Sequence, residues 1–295
     1  MARIAVIGLG NMGAPMAANL AQDGHAVTGY DPAWNDPAQP VGKVQQATSA
    51  VAAVSDAEVV LTMLPDGETV ADVLTGSAGV FAHLPRGGLV IDSSTIDVES
   101  SRRMHAAAGQ AGHAFADAPV SGGMTGAEAG TLTFMVGAET ATVDRCRGIL
   151  LAMGARVVHA GGPGAGSAAK IVNNMLLGIS LAGVCEAFVL AERLGLDPGT
   201  FFDIATTSSG DCWALRTWTP VAGIVAGAPS SNDWTPGFST ALMLKDLQLA
   251  NAAAQIDSAP LEMASTAGRL FSSHADSGYS DRDCSSLIES IGGRR

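Results

Sequence analysis

Residues 3–13 read RIAVIGLGNMG, a short apolar strand that runs directly into the pattern G-x-G-x-x-G. A helical pattern follows through Met16 and Leu20 and stops near Gly24. Glycines at these spacings permit a tight turn and close approach to a pyrophosphate, which the amides at the helix start then bind. The stretch predicts the first β-α unit of a dinucleotide-binding domain. Its predicted cofactor contacts are Gly8, Leu9, Gly10, Asn11, Met12 and Gly13.

The next apolar run, residues 25–30, ends at Asp31, which lies 18 residues past Gly13. An acid at the end of the second strand is placed to accept hydrogen bonds from the adenosine ribose. Its charge would repel a 2′-phosphate, so the sequence favours NAD over NADP. The alternative is a glycine-rich turn in another α/β fold, which the flanking strands, the helix and the acid argue against.

Two further strands are predicted over residues 58–64 and 88–94, and turn residues follow both. Loops at the carboxyl ends of parallel strands are where doubly wound sheets bind ligands. The predicted cofactor contacts in these loops are Leu64, Pro65, Thr69 and Thr95, with ordinary turn chemistry as the alternative for each.

Residues 120–123 read VSGG, and consecutive amides in such a turn can form an anion-binding nest. Strands are predicted over residues 131–137 and 155–162, with a helix over 139–153 between them. The sequence therefore predicts an α/β, Rossmann-type dinucleotide-binding domain over residues 1–163.

The second half is predicted to be all-helical over residues 164–295, apart from a long loop over residues 208–237. A long helix over residues 165–193 joins the two domains. That helix lacks proline and has apolar residues on nearly all its faces, which predicts burial on all sides. Lys170 and Asn174 lie one turn apart near its start and share a face. A lysine there is costly unless function needs it, although a structural lysine reaching to solvent is the alternative.

Composition narrows the classes of function. The net charge of −12 argues against nucleic-acid and anionic-membrane partners. The four cysteines and six histidines show no metal-ligand spacing, so no metal is expected. Because the first strand begins at Arg3, we expect no targeting peptide and a cytoplasmic location. Only three of the 16 basic residues are lysines, Lys43, Lys170 and Lys245, so a position that keeps lysine is of interest.

Segments along nearly the whole chain resemble the β-hydroxyacid dehydrogenase family, and in particular its hydroxyisobutyrate branch. The matching segments include IGLGNMGAPMAANL (7–20), TMLP (62–65), IDSSTID (91–97), DAPVSGG (117–123), GTLTFMVG (130–137), AAKIVNNMLL (168–177), SSGDCWA (208–214), GFSTALMLKDLQLA (237–250) and GYSDRDCSS (278–286). DAPVSGG together with G-x-x-x-K-x-x-N-N is specific to the family. Thr69 departs from it, since relatives often have asparagine there, and this leaves its cofactor contact the least secure.

The resemblance implies a role for each matching residue. Lys170 would be the general acid/base, and Ser121, Gly122 and Gly123 would hold the substrate carboxylate. Asn174 would bind the substrate hydroxyl or orient the lysine. The remaining implied contacts are Lys245 to the cofactor, with Asp246 beside it, and Trp213 and Phe238 closing the substrate pocket.

The implied reaction is NAD-dependent oxidation of 3-hydroxyisobutyrate, a small hydroxy acid, to methylmalonate semialdehyde in valine breakdown. Lys170 would have to be neutral part of the time, which burial and a neighbouring cation would favour. A sister reductase acting on tartronate semialdehyde, glyoxylate or succinic semialdehyde is one alternative. A non-catalytic dinucleotide-binding protein is another. The long apolar helix also predicts a homodimer or homotetramer.

Overall fold

A computed structural model of the chain describes residues 1–34, 41–256 and 258–293. The chain divides into two compact units, Met1–Lys170 and Ile171–Arg295. A 29-residue helix, α8 (Ala165–Arg193), begins in the first unit and continues into the second. Its bounds agree with those predicted from the sequence.

In the first unit, nine strands among the described residues form one sheet. They are β1 (Arg3–Ile7), β2 (Ala26–Tyr30), β3 (Gln45–Gln46), β4 (Val59–Thr62), β5 (Leu89–Asp92), β6 (Ala114–Asp117), β7 (Val120–Ser121), β8 (Leu132–Gly137) and β9 (Gly154–Gly161). The order is β3-β2-β1-β4-β5-β6-β8-β7, and β9 pairs with β8. Strands β1 to β6 are parallel, whereas β8 runs antiparallel to β6 and β7.

The helices of the first unit cover both faces of the sheet. They are α1 (Gly13–Gln22), α2 (Ala50–Val54), α3 (Gly67–Leu74), α4 (Val80–His83), α5 (Val98–Ala111), α6 (Gly123–Ala129) and α7 (Thr140–Leu151). Alternation along β1 separates two cores: Ile4 and Val6 join the core that includes α1 and α7, while Ala5 and Ile7 join the core of α2 to α5. Because both faces are covered, β1, β4 and β5 are apolar apart from one end residue each (Arg3, Thr62 and Asp92), and almost every residue in them is buried.

The second unit is helical. After α8 it contains α9 (Pro198–Thr206), α10 (Trp213–Thr217), α11 (Thr240–Ile256), α12 (Glu262–His274) and α13 (Leu287–Gly292). Leu181, Phe188, Met243, Leu247 and Phe271 lie in its core. The predicted fold class, a Rossmann-type domain followed by a helical domain joined by a long helix, is confirmed.

Two local predictions were wrong. Within this chain, helix α8 is not buried on every face. One stripe along it is exposed and carries Val172, Leu176 and Leu190, whose surfaces are 59%, 62% and 57% accessible. The apolar composition of a helix does not by itself show which of its faces packs in the core and which is exposed. The stretch 208–237, predicted as a loop, contains α10 and a short 3-10 turn at Pro229–Ser231.

By length and composition α8 would also be able to cross a membrane. Half of its most apolar window is buried within the chain, against α11 and the segments that follow it. Helix α8 therefore serves as a core helix of this fold.

A buried histidine in the second unit, His274, predicts that the stability of the protein depends on pH. His274 Nδ1 lies 2.6 Å from Ser290 Oγ, Nε2 lies 2.7 Å from Ser286 Oγ, and the ring stacks on Tyr279. Burial, helped by the positive charge of Arg282, lowers the pKa of His274 from 6.5 to about 4. Between those values the unfolded chain binds the proton that the folded chain does not.

We therefore expect the free energy of unfolding to fall as the pH drops from 6.5 towards 4, by about 3 kcal/mol in total. Urea unfolding at pH 7 and at pH 5 measures the free energy of unfolding. In His274→Asn this free energy should change less between the two pH values, giving a shallower slope. His83→Asn, at an exposed histidine, is the matched control and should keep the wild-type slope. An unchanged slope in His274→Asn would remove His274 as the cause.

Candidate active site

The parallel strands end together at one edge of the sheet. In register across neighbouring strands lie Tyr30, Ile7, Thr62, Asp92 and Asp117, each the last residue of its strand. The chain order reverses between β1 and β4, since β2 lies on one side of β1 and β4 on the other. Such a switch point at the carboxyl edge is where doubly wound folds bind nucleotides.

The three glycines of the first loop differ in what surrounds them. Gly8 has φ +92°, and a Cβ added there would lie 2.2 Å from the carbonyl oxygen of Met63. A Cβ at Gly13 would lie 1.9 Å from the carbonyl oxygen of Gly8. Gly10 is exposed and a Cβ there would meet nothing within 4 Å. Gly8 and Gly13 therefore serve close packing, while Gly10 leaves an open cradle that fits a pyrophosphate.

Asp31 connects the end of β2 to the glycine loop. Its Oδ2 accepts a hydrogen bond from the Leu9 amide at 2.8 Å, and its Oδ1 accepts one from the Ala33 amide at 2.8 Å. Asn11 is exposed. Met12 is the N-cap residue that precedes α1, and its side chain makes no capping hydrogen bond. The structure therefore brings the predicted acid and the predicted loop together.

A buried carboxyl that the sequence did not single out organises the next two loops. Asp92 Oδ1 accepts hydrogen bonds from Thr62 Oγ1 at 2.7 Å and Ser94 Oγ at 2.6 Å, and Ser94 Oγ in turn accepts one from the Leu64 amide at 2.9 Å. Burial raises the pKa of Asp92, while the bonds from Ser94 and Thr62 oppose that rise. The motif IDSS carried the signal, as an acid two residues before a serine at a strand end.

The other predicted cofactor contacts lie on these loops at different exposures. Pro65 is exposed and Thr95 is half-buried. Thr69 is half-buried in the first turn of α3, where its amide donates to the capping carboxylate of Asp66 at 2.8 Å. The Thr69 amide is thus engaged in capping, which leaves its side chain as the group that can reach a ligand.

The predicted anion nest lies between β7 and α6. Ser121 is half-buried and pairs with Thr133 of β8. Gly122 and Gly123 follow with φ of +135° and +61°, values that favour glycine. Gly122 is exposed, so the geometry is compatible with an anion approaching the backbone amides of these two glycines.

Lys170 is half-buried in the second turn of α8, and the residues one turn on belong to the second unit. Asn174 is 2% exposed, and its Nδ2 donates to Asp246 Oδ2 at 2.6 Å. Asn173 Nδ2 donates to Asn174 Oδ1 at 2.9 Å, which fixes the orientation of the amide. Lys245 Nζ lies 3.9 Å from Asp246 Oδ1. The second unit therefore brings Asn174, Lys245 and Asp246 together.

The two predicted pocket aromatics belong to one cluster through a third ring. Trp213, 54% exposed, contacts Trp218 edge-on with centroids 5.1 Å apart, and Trp218 stacks on Phe238 at 6.4 Å. Buried Asp283 Oδ2 accepts hydrogen bonds from the Gly237 and Phe238 amides at 3.0 and 3.1 Å. Sequence reasoning missed both Trp218 and Asp283. Asp283 lies in the segment GYSDRDCSS (278–286), which was given no role, and Trp218 lies outside the quoted segments.

Comparison with known proteins matches both halves of the chain. Residues 3–162 match the NAD-binding domain of 6-phosphogluconate dehydrogenase, and residues 164–291 match the NAD-binding family of NADP-dependent 3-hydroxyisobutyrate dehydrogenase. A probable 3-hydroxyisobutyrate dehydrogenase of Mycobacterium tuberculosis is 45% identical over 100% of this chain and 99% of its own. The chain belongs to the 3-hydroxyisobutyrate dehydrogenase family.

A solved structure and another relative of this family both have names that mention L-serine. A solved structure of the Mycobacterium tuberculosis 3-hydroxyisobutyrate dehydrogenase with L-serine has a TM-score of 0.92 at 45% identity, covering 99% of both chains. An NAD-dependent L-serine dehydrogenase of Pseudomonas aeruginosa is 42% identical over 97% of this chain and 96% of its own. The predicted family and enzyme class are confirmed: this family member is an NAD-dependent oxidoreductase, and its first domain binds NAD(P).

Proposed function

We propose that this chain oxidises (S)-3-hydroxyisobutyrate to methylmalonate semialdehyde with NAD⁺ in valine degradation, in the cytoplasm. The observation that carries this proposal is the likeness over the full chain to relatives named 3-hydroxyisobutyrate dehydrogenase. We also propose that the division between the two domains lies between residues 163 and 164, beside the point where the two family matches meet.

The proposed cofactor contacts are Gly8, Leu9, Gly10, Asn11, Met12, Gly13, Asp31, Leu64, Pro65, Thr69, Thr95 and Lys245. When bound, NAD⁺ supplies the acceptor for the hydride that leaves C3 of the substrate. The open space at Gly10 supports this assignment, because a pyrophosphate needs close access to the backbone there.

Lys170 is proposed as the general acid/base. In its uncharged form the amine Nζ accepts the hydroxyl proton as the hydride leaves, so that the alcohol becomes an aldehyde without a charged alkoxide. Asn174 lies one turn further along the same helix and would bind the hydroxyl or orient the lysine. This role is supported by the buried side-chain amide of Asn174, which hydrogen bonds with Asn173 and Asp246 hold in one orientation.

The substrate carboxylate is proposed to bind the Ser121 hydroxyl and the backbone amides of Gly122 and Gly123. Neutral donors of this kind hold an anion without adding a positive charge, and they fix the carbinol carbon relative to the base. Trp213 and Phe238 are proposed to exclude water from the substrate. The shared ring cluster through Trp218 supports their acting together.

Asp31 should set the preference for NAD⁺ over NADP⁺. Both of its oxygens accept backbone hydrogen bonds, so the carboxylate is held where a 2′-phosphate would meet a like charge. We expect Asp31→Ser to lower the ratio of kcat/KM for NAD⁺ to that for NADP⁺ by about tenfold to a hundredfold. Asp144→Ser, at an exposed acid on α7, should leave the ratio unchanged. An unaltered ratio in Asp31→Ser would contradict the assignment.

Initial rates over a panel of hydroxy acids test the substrate. 3-Hydroxyisobutyrate, L-serine, glycerate and 4-hydroxybutyrate are compared with NAD⁺ and with NADP⁺. L-serine is the second candidate, because a relative at 42% identity is named for it and a solved relative contains it. A higher kcat/KM for any of the other acids would make the proposed substrate wrong. Reduction of tartronate semialdehyde, glyoxylate or succinic semialdehyde at a higher rate would favour a sister reductase, and no turnover at all would favour a non-catalytic binding protein.

We propose a homodimer or homotetramer. The support is the exposed stripe of α8, on which Val172, Leu176 and Leu190 would bury apolar surface against a second copy. Light scattering of the purified chain and of Leu176→Glu tests this. A monomer at micromolar concentration in the unsubstituted protein would contradict it.

A further inference from the structure

We propose that Asp117 and His105 are positioning residues, which set where α8 begins and thereby where Lys170 is held for catalysis. This inference rests on the proposed role of Lys170. The residues that carry it all lie in the first unit.

The start of α8 has no capping side chain of its own. The Gly164 carbonyl accepts the first helical hydrogen bond, from the Ala168 amide at 3.0 Å, so Gly164 is the N-cap residue. Gly164 has φ +82°, a value that favours glycine. Helix N-cap side chains normally satisfy an amide of the first turn, and glycine cannot do so.

Asp117, the last residue of β6, supplies that cap from another element. Its Oδ1 accepts a hydrogen bond from the Gly164 amide at 3.0 Å, and its Oδ2 accepts one from the Ser167 amide at 2.8 Å. In an ordinary capping box two side chains share these two amides. Here one carboxylate, 1% exposed, binds both, so the first turn of α8 is tied to the carboxyl end of β6.

His105 holds the carboxylate in turn. Its Nε2 lies 2.7 Å from Asp117 Oδ1, and its ring packs edge-on against Phe115, with centroids 4.8 Å apart. With Nε2 protonated, the ring donates to the carboxylate. Asp117 then has three donors, which together fix both of its oxygens.

Two glycines leave the space that Asp117 needs. A Cβ at Gly137 would lie 2.5 Å from the Gly166 amide nitrogen and 2.6 Å from Asp117 Oδ1. A Cβ at Gly166 would lie 2.3 Å from the Met135 carbonyl oxygen, 2.5 Å from the Asp117 carbonyl oxygen and 2.9 Å from Asp117 Oδ2. Gly166 lies inside α8, where alanine would normally stabilise a helix by about 1 kcal/mol. The close approach of both Asp117 and the Met135 carbonyl is a physical reason for glycine at that position.

Lys170 follows Ser167 by three residues, so its side chain lies about one turn beyond the tied amide. A rigid first turn carries any displacement at Ser167 directly to Lys170. Because misplacement of a reacting group by about 1 Å can cost about a hundredfold in rate, the position of this turn is of catalytic consequence.

The test combines kinetics with amide exchange in the full chain. Asp117→Asn places an amide N–H₂ against one of the two helix amides. We expect faster hydrogen exchange over residues 164–170, a kcat lower by about tenfold or more, and KM for NAD⁺ within about twofold of the wild-type value. A larger primary deuterium isotope effect on kcat, with substrate deuterated at C3, should accompany the loss, because the chemical step becomes slower.

Milder variants keep the proposal falsifiable if Asp117→Asn does not fold. His105→Gln retains a donor near the position of Nε2 and should keep kcat within about twofold, whereas His105→Leu should lower it by about fivefold or more. Gly166→Ala should lower kcat although alanine favours helices. Gly148→Ala, at an exposed glycine of α7 with nothing within 4 Å, is the matched control and should not.

Two results would overturn the proposal. One is unchanged exchange over residues 164–170 in Asp117→Asn, since the carboxylate would then not hold the helix. The other is faster exchange with unchanged kcat in Asp117→Asn and Gly166→Ala, while Lys170→Ala is inactive. If Lys170→Ala itself turns over normally, the proposed role of Lys170 fails, and the exchange result still reports on Asp117 independently.

Discussion

Lys170→Ala is expected to lower kcat by about 10²–10⁴-fold while NAD⁺ binds as in the wild type, because removing a general acid/base typically costs that much. The loss follows from the amine being the proposed acceptor of the hydroxyl proton. The glycine loop and Asp31, which lie on other elements, keep their hydrogen bonds in this variant. Turnover is measured as NADH absorbance, and NAD⁺ affinity by calorimetry.

Two further variants show whether the base or only the charge is needed. Lys170→Arg keeps the positive charge but has no accessible neutral form, so we expect it to be about as inactive as the alanine variant. Lys43→Ala, at an exposed lysine of the first unit, is the matched control and should turn over normally. Partial rescue of Lys170→Ala by added small primary amines would support the assignment. Near-normal turnover of Lys170→Ala would refute it.

The second large effect is expected in the glycine loop. There, substitution of Gly10 should weaken NAD⁺ binding without loss of stability, and substitution of Gly13 should lower stability. Gly10→Val adds a side chain in open space, so its urea unfolding midpoint should equal that of the wild type. The same side chain occupies the proposed pyrophosphate cradle, and we expect NAD⁺ affinity to weaken by about a hundredfold or more. Calorimetric titration with NAD⁺ measures the affinity.

Gly13→Ala should instead destabilise the fold. Its Cβ would lie 1.9 Å from the carbonyl oxygen of Gly8, a contact that forces β1 and α1 apart. Overpacking of this kind typically costs about 1–3 kcal/mol, visible as a lower urea midpoint. Equal stability losses in the two variants, or normal NAD⁺ binding by Gly10→Val, would contradict these separate roles.

Features that depend on neighbouring residues were well predicted from the sequence. The β-α unit of residues 3–20 follows from an apolar strand, a glycine turn and a helical repeat, all within a few residues of one another. The bounds of α8 followed from glycines before it, an unbroken helical composition and Gly195 after it, which has φ +76°. Local conformational preferences decide such elements, so they can be seen in the chain itself.

Features that join distant residues were not predictable in the same way. Asp117 and Gly164 are 47 residues apart, and Asn174 and Asp246 are 72 apart, yet each pair shares a hydrogen bond. The motifs marked Asn174 as a site residue and Asp246 as the neighbour of Lys245, but they did not show that the buried amide of Asn174 is held by this carboxylate. Trp218 and Asp283, which hold the predicted pocket residue Phe238, were missed for the same reason.

The sequence alone therefore determined the order of the elements, the family, and the residue types available for the chemistry, because each depends on short-range pattern. Only the tertiary structure decided which face of α8 is buried and which carboxylate caps it. The hydrophobic pattern of α8 is nearly uniform around its axis, and Gly164 has no side chain that announces a cap. Long-range packing supplied both answers, by placing the end of β6 against the first turn of the helix that carries Lys170.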